Sequence, residues 1–220
     1  MSTRLTFALR SLAIPIVIGA IVFSAAGRWD FPFVWALLSV MVVFYFTLAI
    51  VGDDGMAKER QTPGPGNQDR LTQPLAAVLM LAHWILAGLD IGRFHWSPTP
   101  WGLQFGGVLL FSAALCVNFW ALLVNKFYSS VVRVQADRGQ TVIDTGPYRI
   151  IRHPGYAATL VAMFTGGITF GSWVAMIPVL GFAALFLRRT VLEDNLLKRE
   201  LPGYLDYTQR VKYRLVPGVF

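Results

Sequence analysis

Two short polar clusters flank one long uncharged stretch in the C-terminal half of the chain. The first runs Gly146-Pro147-Tyr148-Arg149-Ile150-Ile151-Arg152-His153-Pro154-Gly155-Tyr156, and the second runs Arg188-Arg189-Thr190-Val191-Leu192-Glu193-Asp194. Between them, residues 157–187 carry no charge. If that stretch crosses a bilayer and returns, both clusters stand at the same face, and an Arg/His/Tyr group meets a carboxylate pair.

The chemistry open to such a site follows from the residue types. Pro154 suits the first turn of a helix, where its missing N–H would have no partner anyway. The free N–H groups and positive dipole end at that point favour an anionic group. Arg149, Arg152 and His153 add charge and donors, while Tyr148 and Tyr156 supply rings and hydroxyls. On spacing alone, anchoring at lipid headgroups is the simpler account of these residues. Arg189 and Glu193 are four apart and share a helix face. Glu193-Asp194 just inside a membrane face is costly unless solvated or paired. A surface ion pair and a ligand-binding carboxylate explain this pair equally well. Asn125 and Tyr128, which lead into the first cluster, are candidates for a substrate-binding lining. Asn118 suits an interhelical hydrogen bond, and His83 and Asp90 read as packing or interface residues.

The elements that must position these groups are membrane helices. Of the 220 residues, 55% are apolar and 14% charged, with a mean hydropathy of +0.54. Apolar runs of membrane-spanning length recur at 9–26, 32–51, 75–92 and 101–124. Backbone groups in hydrocarbon must be satisfied within the segment, so helices are expected. The alternation of a membrane barrel is absent. As one helix, residues 157–187 would be about 47 Å long, against a hydrocarbon core of about 30 Å. Gly171-Ser172 near the middle offers a turn, which predicts two short helices over 156–170 and 173–187.

Charge placement gives an independent count. With six spans, seventeen of the nineteen Lys and Arg fall on one side, and only Arg28 and Arg93 on the other. By the positive-inside rule both termini and both clusters are then cytoplasmic, in an inner or plasma membrane. The fold expected is an all-α polytopic bundle of about six spans, the last two a short hairpin. Residues 1–220 form a single integral membrane domain, with four spans in 1–124. The first run is too long for a signal-peptide core and reads as a retained span.

The net charge of +7 lacks any basic motif with a recognition element, so no nucleic-acid partner is expected. No Cys/His cluster has metal-ligand spacing. Cys116, the single cysteine, reads as a small buried hydrophobe. There is no Gly-rich dinucleotide fingerprint, phosphate-binding loop or nucleophile elbow. The 52–74 connector, with Asp53-Asp54 and Pro63-Gly64-Pro65-Gly66, reads as a solvated linker. The tail pattern Tyr204, Tyr207, Val211, Tyr213 and Leu215 suggests an interfacial amphipathic segment.

The run Asn125-Lys126-Phe127-Tyr128-Ser129-Ser130-Val131-Val132 precedes Gly146-Pro147-Tyr148-Arg149 and Arg152-His153-Pro154-Gly155-Tyr156. After the uncharged hairpin come Arg189-x-x-x-Glu193-Asp194, Leu201-Pro202-Gly203-Tyr204-x-x-Tyr207 and Val211-Lys212-Tyr213-Arg214-Leu215-Val216-Pro217. This order resembles the isoprenylcysteine carboxyl methyltransferase family, whose wider relatives include membrane phospholipid methyltransferases. Members of the family usually carry Glu-Glu where this chain has Glu193-Asp194. The resemblance implies S-adenosylmethionine as cofactor, with residues 125–220 forming the cofactor-binding loop, the hairpin and a cytoplasmic tail. It implies that His153, Tyr156 and Glu193 line the cofactor pocket, that Tyr148, Arg152, Gly155 and Asp194 support it, and that Arg189 faces the acceptor.

The reaction implied is in-line displacement of a methyl group from a sulfonium, driven by holding the nucleophile close to the methyl carbon. Arg189 would orient a carboxylate acceptor bidentately, whereas an amine acceptor would need deprotonation by Glu193 or Asp194. The acceptor expected is a lipid or other lipophilic molecule, such as an isoprenylcysteine-type carboxylate or a phospholipid amine. Another isoprenoid lipid or a small thiol also remains open. Two other readings are an NADPH-dependent membrane reductase of the sterol-reductase type and a non-catalytic membrane protein.

Overall fold

A computed structural model describes residues 3–52 and 54–220, with side chains from residue 6 onward. Asp53 and the Arg4 side chain, both used in the sequence reading, lie outside the described residues. The described residues form eight α-helices and no strand: α1 Thr3–Ala26, α2 Pro32–Val51, α3 Asp54–Gln61, α4 Thr72–Leu89, α5 Trp101–Val124, α6 Pro154–Phe170, α7 Met176–Glu200 and α8 Tyr204–Arg210.

Among the described residues, four stretches are long and apolar enough to span a bilayer: Thr6–Ala26, Pro32–Val51, Thr72–Phe94 and Trp101–Val124. They coincide closely with the four apolar runs. Their outer faces carry exposed side chains such as Ile16, Val43, Val78 and Leu110, as expected of helices solvated by lipid. Cys116 lies on such a face and is exposed, so it is not the buried residue expected. A π-helical turn, Asp90–Phe94, ends α4.

α6 and α7 form the expected hairpin. α6 is slightly short for a full crossing at about 25 Å. It packs on α5 through small residues, including Ala158, Ala162, Thr165 and Thr169. At Gly107 of α5 a Cβ would stand 2.5 Å from the Thr169 hydroxyl, so the two backbones need a glycine to come this close. The turn spans 171–175, with Gly171 in a left-handed conformation at φ 90°. α7 then runs without a break through the uncharged segment and on to Glu200, 13 residues past Leu187, so that it carries the whole second cluster.

The far end of the bundle is tied by Asp90. Its carboxylate accepts the Ser97 N–H at 3.0 Å and the Ser97 and Ser172 hydroxyls at 2.5 Å. Nearby, His83 Nδ1 lies 2.7 Å from the Ala175 carbonyl. Both residues hold helices together, as expected. Asn118 does so on α5, with its amide donating to the Gly155 carbonyl at 3.1 Å and to Thr159 at 3.2 Å.

Two connecting segments depart from expectation. Of the five tail residues read as an interfacial face, four turn inward and Tyr213 stays exposed. Tyr204, Tyr207, Val211 and Leu215 are buried, and the first three pack with Leu197 and Leu201. The 52–74 connector is not a solvated linker. It forms α3 and then folds back on the site end of the bundle, burying Glu59 and Asp69. Buried carboxylates need partners, and both have them. Glu59 holds Arg133 at 2.8 Å, and Asp69 holds Arg188 at 3.0 Å.

Candidate functional site

The ends of α2 and α5 and the start of α6 meet at one end of the bundle, and α7 extends beyond it. A cleft opens there, of about 720 Å³ including its mouth. Its wall combines the segment after α5, the turn before α6, the charged extension of α7 and the tail.

Most of the predicted site residues come together here. Asn125, Tyr128, Tyr148, Arg152, His153, Gly155, Tyr156 and Glu193 all line the cleft, whereas Arg189 and Asp194 stand one layer behind it. His153 is the residue before α6, Pro154 is its first residue and Gly155 follows. A Cβ on Gly155 would stand 2.3 Å from the Tyr128 hydroxyl, so glycine is what admits the Tyr128 ring to the wall. Asn125 caps the C-terminus of α5, and its amide donates to the Tyr148 hydroxyl at 3.1 Å. The Tyr207 hydroxyl donates to the Tyr148 carbonyl at 2.7 Å. Burial pushes the Tyr148 hydroxyl well above its usual pKa, so it stays protonated as a neutral donor.

The adjacent carboxylates have opposite surroundings. Glu193 is a quarter exposed to the cleft, accepts a hydrogen bond from the Tyr156 hydroxyl, and lies 4.0 Å from His153 Nδ1. Asp194 is fully buried. It accepts from Arg152 Nε at 2.7 Å, Lys198 at 2.9 Å, Arg214 at 3.0 Å and the Tyr204 hydroxyl at 3.1 Å. Burial alone would raise its pKa. The neighbouring His153 imidazole and the hydrogen bonds from Arg152 and Lys198 outweigh that and hold the carboxyl far below the usual range. Asp194 is thus a fixed anion that binds the tail to α7. Arg152 extends the tie by donating to the Val211 and Lys212 carbonyls, each at 2.7 Å.

Arg189 is 4% exposed. Its Nε donates to the Tyr156 hydroxyl at 2.8 Å and its Nη2 to the Ser130 carbonyl at 2.8 Å. It reaches the cleft only through Tyr156. His153 Nε2 is buried without a hydrogen-bond partner and lies 3.6 Å from Asp194. The sequence reading missed Glu59, Asp69 and Arg133. Their pairing joins positions far apart in the chain, and the one available signal was the presence of carboxylates in a connector rich in turns.

Residues 106–199 match the model of the isoprenylcysteine carboxyl methyltransferase (ICMT) family, in agreement with the resemblance read from the motifs. Among curated proteins, the chain is 28% identical over 130 residues to the nickel-cobalt-cadmium resistance protein NccN of Alcaligenes xylosoxydans xylosoxydans. That match covers 57% of this chain and 56% of the relative. It is 27% identical over 131 residues to the cobalt-zinc-cadmium resistance protein CzcN of Cupriavidus metallidurans, covering 58% of this chain and 56% of the relative. The chain thus spans a little over half the length of each of these relatives. The family match and the four apolar helices together support an integral membrane protein similar to that family.

Proposed function

We propose that this protein is an S-adenosylmethionine-dependent methyltransferase that modifies a lipophilic acceptor at the cytoplasmic face of a membrane. The observation that carries the reading is the convergence of His153, Tyr156 and Glu193, from two helices, on one cleft beside the hairpin. When bound, S-adenosylmethionine supplies a methyl group made electrophilic by a sulfonium.

The wall chemistry fits that molecule. Phe127, Tyr128 and Tyr148 offer aromatic surface, and Glu193 is an anion held in place by a hydrogen bond and open to a cationic group. His153 Nε2 offers a buried polar atom that still lacks a partner. Tyr156 and Arg189 fix Glu193 in advance, which limits the ordering needed on binding. Asn125 and Tyr128, next to the apolar end of α5, are placed to bind the acceptor. A lipid tail would enter between helices from the bilayer. An isoprenylcysteine-type carboxylate and a phospholipid amine are the leading acceptor classes. Because Arg189 stands behind Tyr156, it acts on the acceptor by positioning the wall. The relatives' names concern metal resistance, and esterifying a carboxylate would bear on metals by removing an anionic ligand.

The test is calorimetric binding of S-adenosylhomocysteine to detergent-purified protein, with NADPH as control. Micromolar binding of the former alone, lost in Glu193→Ala, supports the reading. Binding of NADPH alone transfers it to a membrane reductase of the sterol-reductase type. Binding of neither, in folded protein, leaves the clusters as membrane anchors.

A further inference from the structure

The connector between α3 and α4 lies outside the segment that matches the family, yet it reaches the core of the site. Gln68 donates its N–H to the Val132 carbonyl at 2.8 Å, and the Gln73 side chain donates to the Ser130 carbonyl. That same Ser130 carbonyl accepts from Arg189, so the connector and the site share one backbone oxygen. Between these two anchors sits Asp69, 1% exposed. Its Oδ1 accepts from Arg188 Nη1 at 3.0 Å and from the Thr72 N–H at 3.3 Å. Its Oδ2 is buried, accepts no hydrogen bond, and faces Arg189 Nη1 at 3.6 Å.

A buried carboxylate oxygen without a donor is costly. What offsets it here is the guanidinium opposite, in a region that screens charge poorly. Hydrogen bonds and nearby cations overcome the effect of burial and hold the Asp69 carboxyl below its ordinary pKa. Arg189 therefore lies between two anions: Asp69 behind it, and Glu193 in front, reached through the Tyr156 hydroxyl.

We propose that Asp69 is a positioning residue for the methyltransferase site. Its charge holds Arg189 in the orientation that fixes Tyr156 and Glu193 in the cleft wall. The connector thereby serves as a strap whose chemistry, and not only its bulk, is felt at the ligand. The binding readout of this inference rests on the function proposed above; the mechanical readout does not.

Asp69→Asn isolates the charge. An asparagine Oδ1 still accepts from Arg188 and Thr72, and Gln68 and Gln73 still dock the strap, while the carboxylate charge is lost and an amide N–H replaces the oxygen that faces Arg189. The experiment has three measurements on the full chain in detergent, with Arg70→Ala, an exposed neighbour, as control. They are hydrogen exchange of the 62–72 segment, the Nε–H signal of Arg189 assigned by its absence in Arg189→Lys, and calorimetric affinity for S-adenosylhomocysteine. In Asp69→Asn the expected result is exchange within twofold of the parent, a shifted or broadened Arg189 signal, and affinity at least tenfold weaker, with Asp69→Glu recovering most of it. Arg70→Ala should change none of the three. An unmoved Arg189 signal with an undisturbed strap overturns the proposal. So does a loss of affinity that appears only when exchange of the strap rises, since that marks a mere tether. If the parent binds no S-adenosylhomocysteine, the functional reading fails and the Arg189 signal alone decides this one.

Discussion

The hydroxyl of Tyr156 stands between opposite charges, accepting from Arg189 Nε at 2.8 Å and donating to the Glu193 carboxylate. Tyr156→Phe keeps the ring and removes both bonds. Hydrogen bonds to charged groups are worth about 1.5–3 kcal/mol, so affinity for S-adenosylhomocysteine should fall on the order of tenfold or more. Far-ultraviolet dichroism should stay unchanged. Undiminished affinity would show that Glu193 needs no support from this hydroxyl.

Glu193 and Asp194 are neighbours in sequence with different duties, and their variants should separate. Glu193→Ala should abolish cofactor binding while leaving the melting midpoint within a few degrees. Asp194→Asn should act on stability, because it leaves Arg152, Lys198 and Arg214 without their common anion. Breaking a buried ion pair costs about 3–5 kcal/mol, so a clear drop in the midpoint is expected. Rapid proteolysis within 204–220 should accompany it. Equal effects of the two substitutions on binding and stability would refute this division.

The pH response follows from the same network. Burial would raise the Asp194 carboxyl, but its donors hold it far below the ordinary value, and Asp69 and Glu59 are lowered too. A depressed folded pKa gives stability that is fully present above the unfolded value of about 4 and is lost as pH falls through the folded one. Thermal midpoints should therefore be flat from pH 8 to 5 and fall below about pH 4, with a shallower fall in Asp194→Asn. A midpoint that drops between pH 5 and 7 would assign control to a histidine instead.

Gly155→Ala tests the close packing of the cleft wall. The added methyl would meet the Tyr128 hydroxyl at 2.3 Å, so the ring must leave its place. Ligand affinity should weaken at least tenfold. Adding Tyr128→Ala should relieve the clash and restore the melting midpoint but not the affinity. A Gly155→Ala protein that binds normally would mean that Tyr128 moves freely.

The residues that carry the cleft were legible because local spacing placed them. His153 and Pro154 mark a helix start, and the Arg189/Glu193 interval predicts a shared face once a helix is granted. The four long spans followed from apolar runs. What escaped was set by contacts across the chain. Asp69 and Arg188 are 119 residues apart, and no pattern in a turn-rich connector announces such a pairing. Tyr204, Tyr207 and Val211 repeat at helical spacing, which serves burial against α7 as well as contact with lipid. The choice depended on Asp194, whose need for donors draws the tail inward. Cys116 failed for a simpler reason, since an apolar run does not show which of its faces meets protein.

α7 runs unbroken from Met176 to Glu200, about 37 Å of one helix. Its first half sits among lipid-facing side chains such as Ile177 and Leu180, and its second half presents Glu193 to the cleft. A stiff rod of this kind acts as a lever. If the hairpin lies in a bilayer, a thickness mismatch would tilt it, and between Gly181 and Glu193 no glycine or proline interrupts α7. Lipid thickness would then be a mechanical input to the cleft, delivered without any ligand or modification.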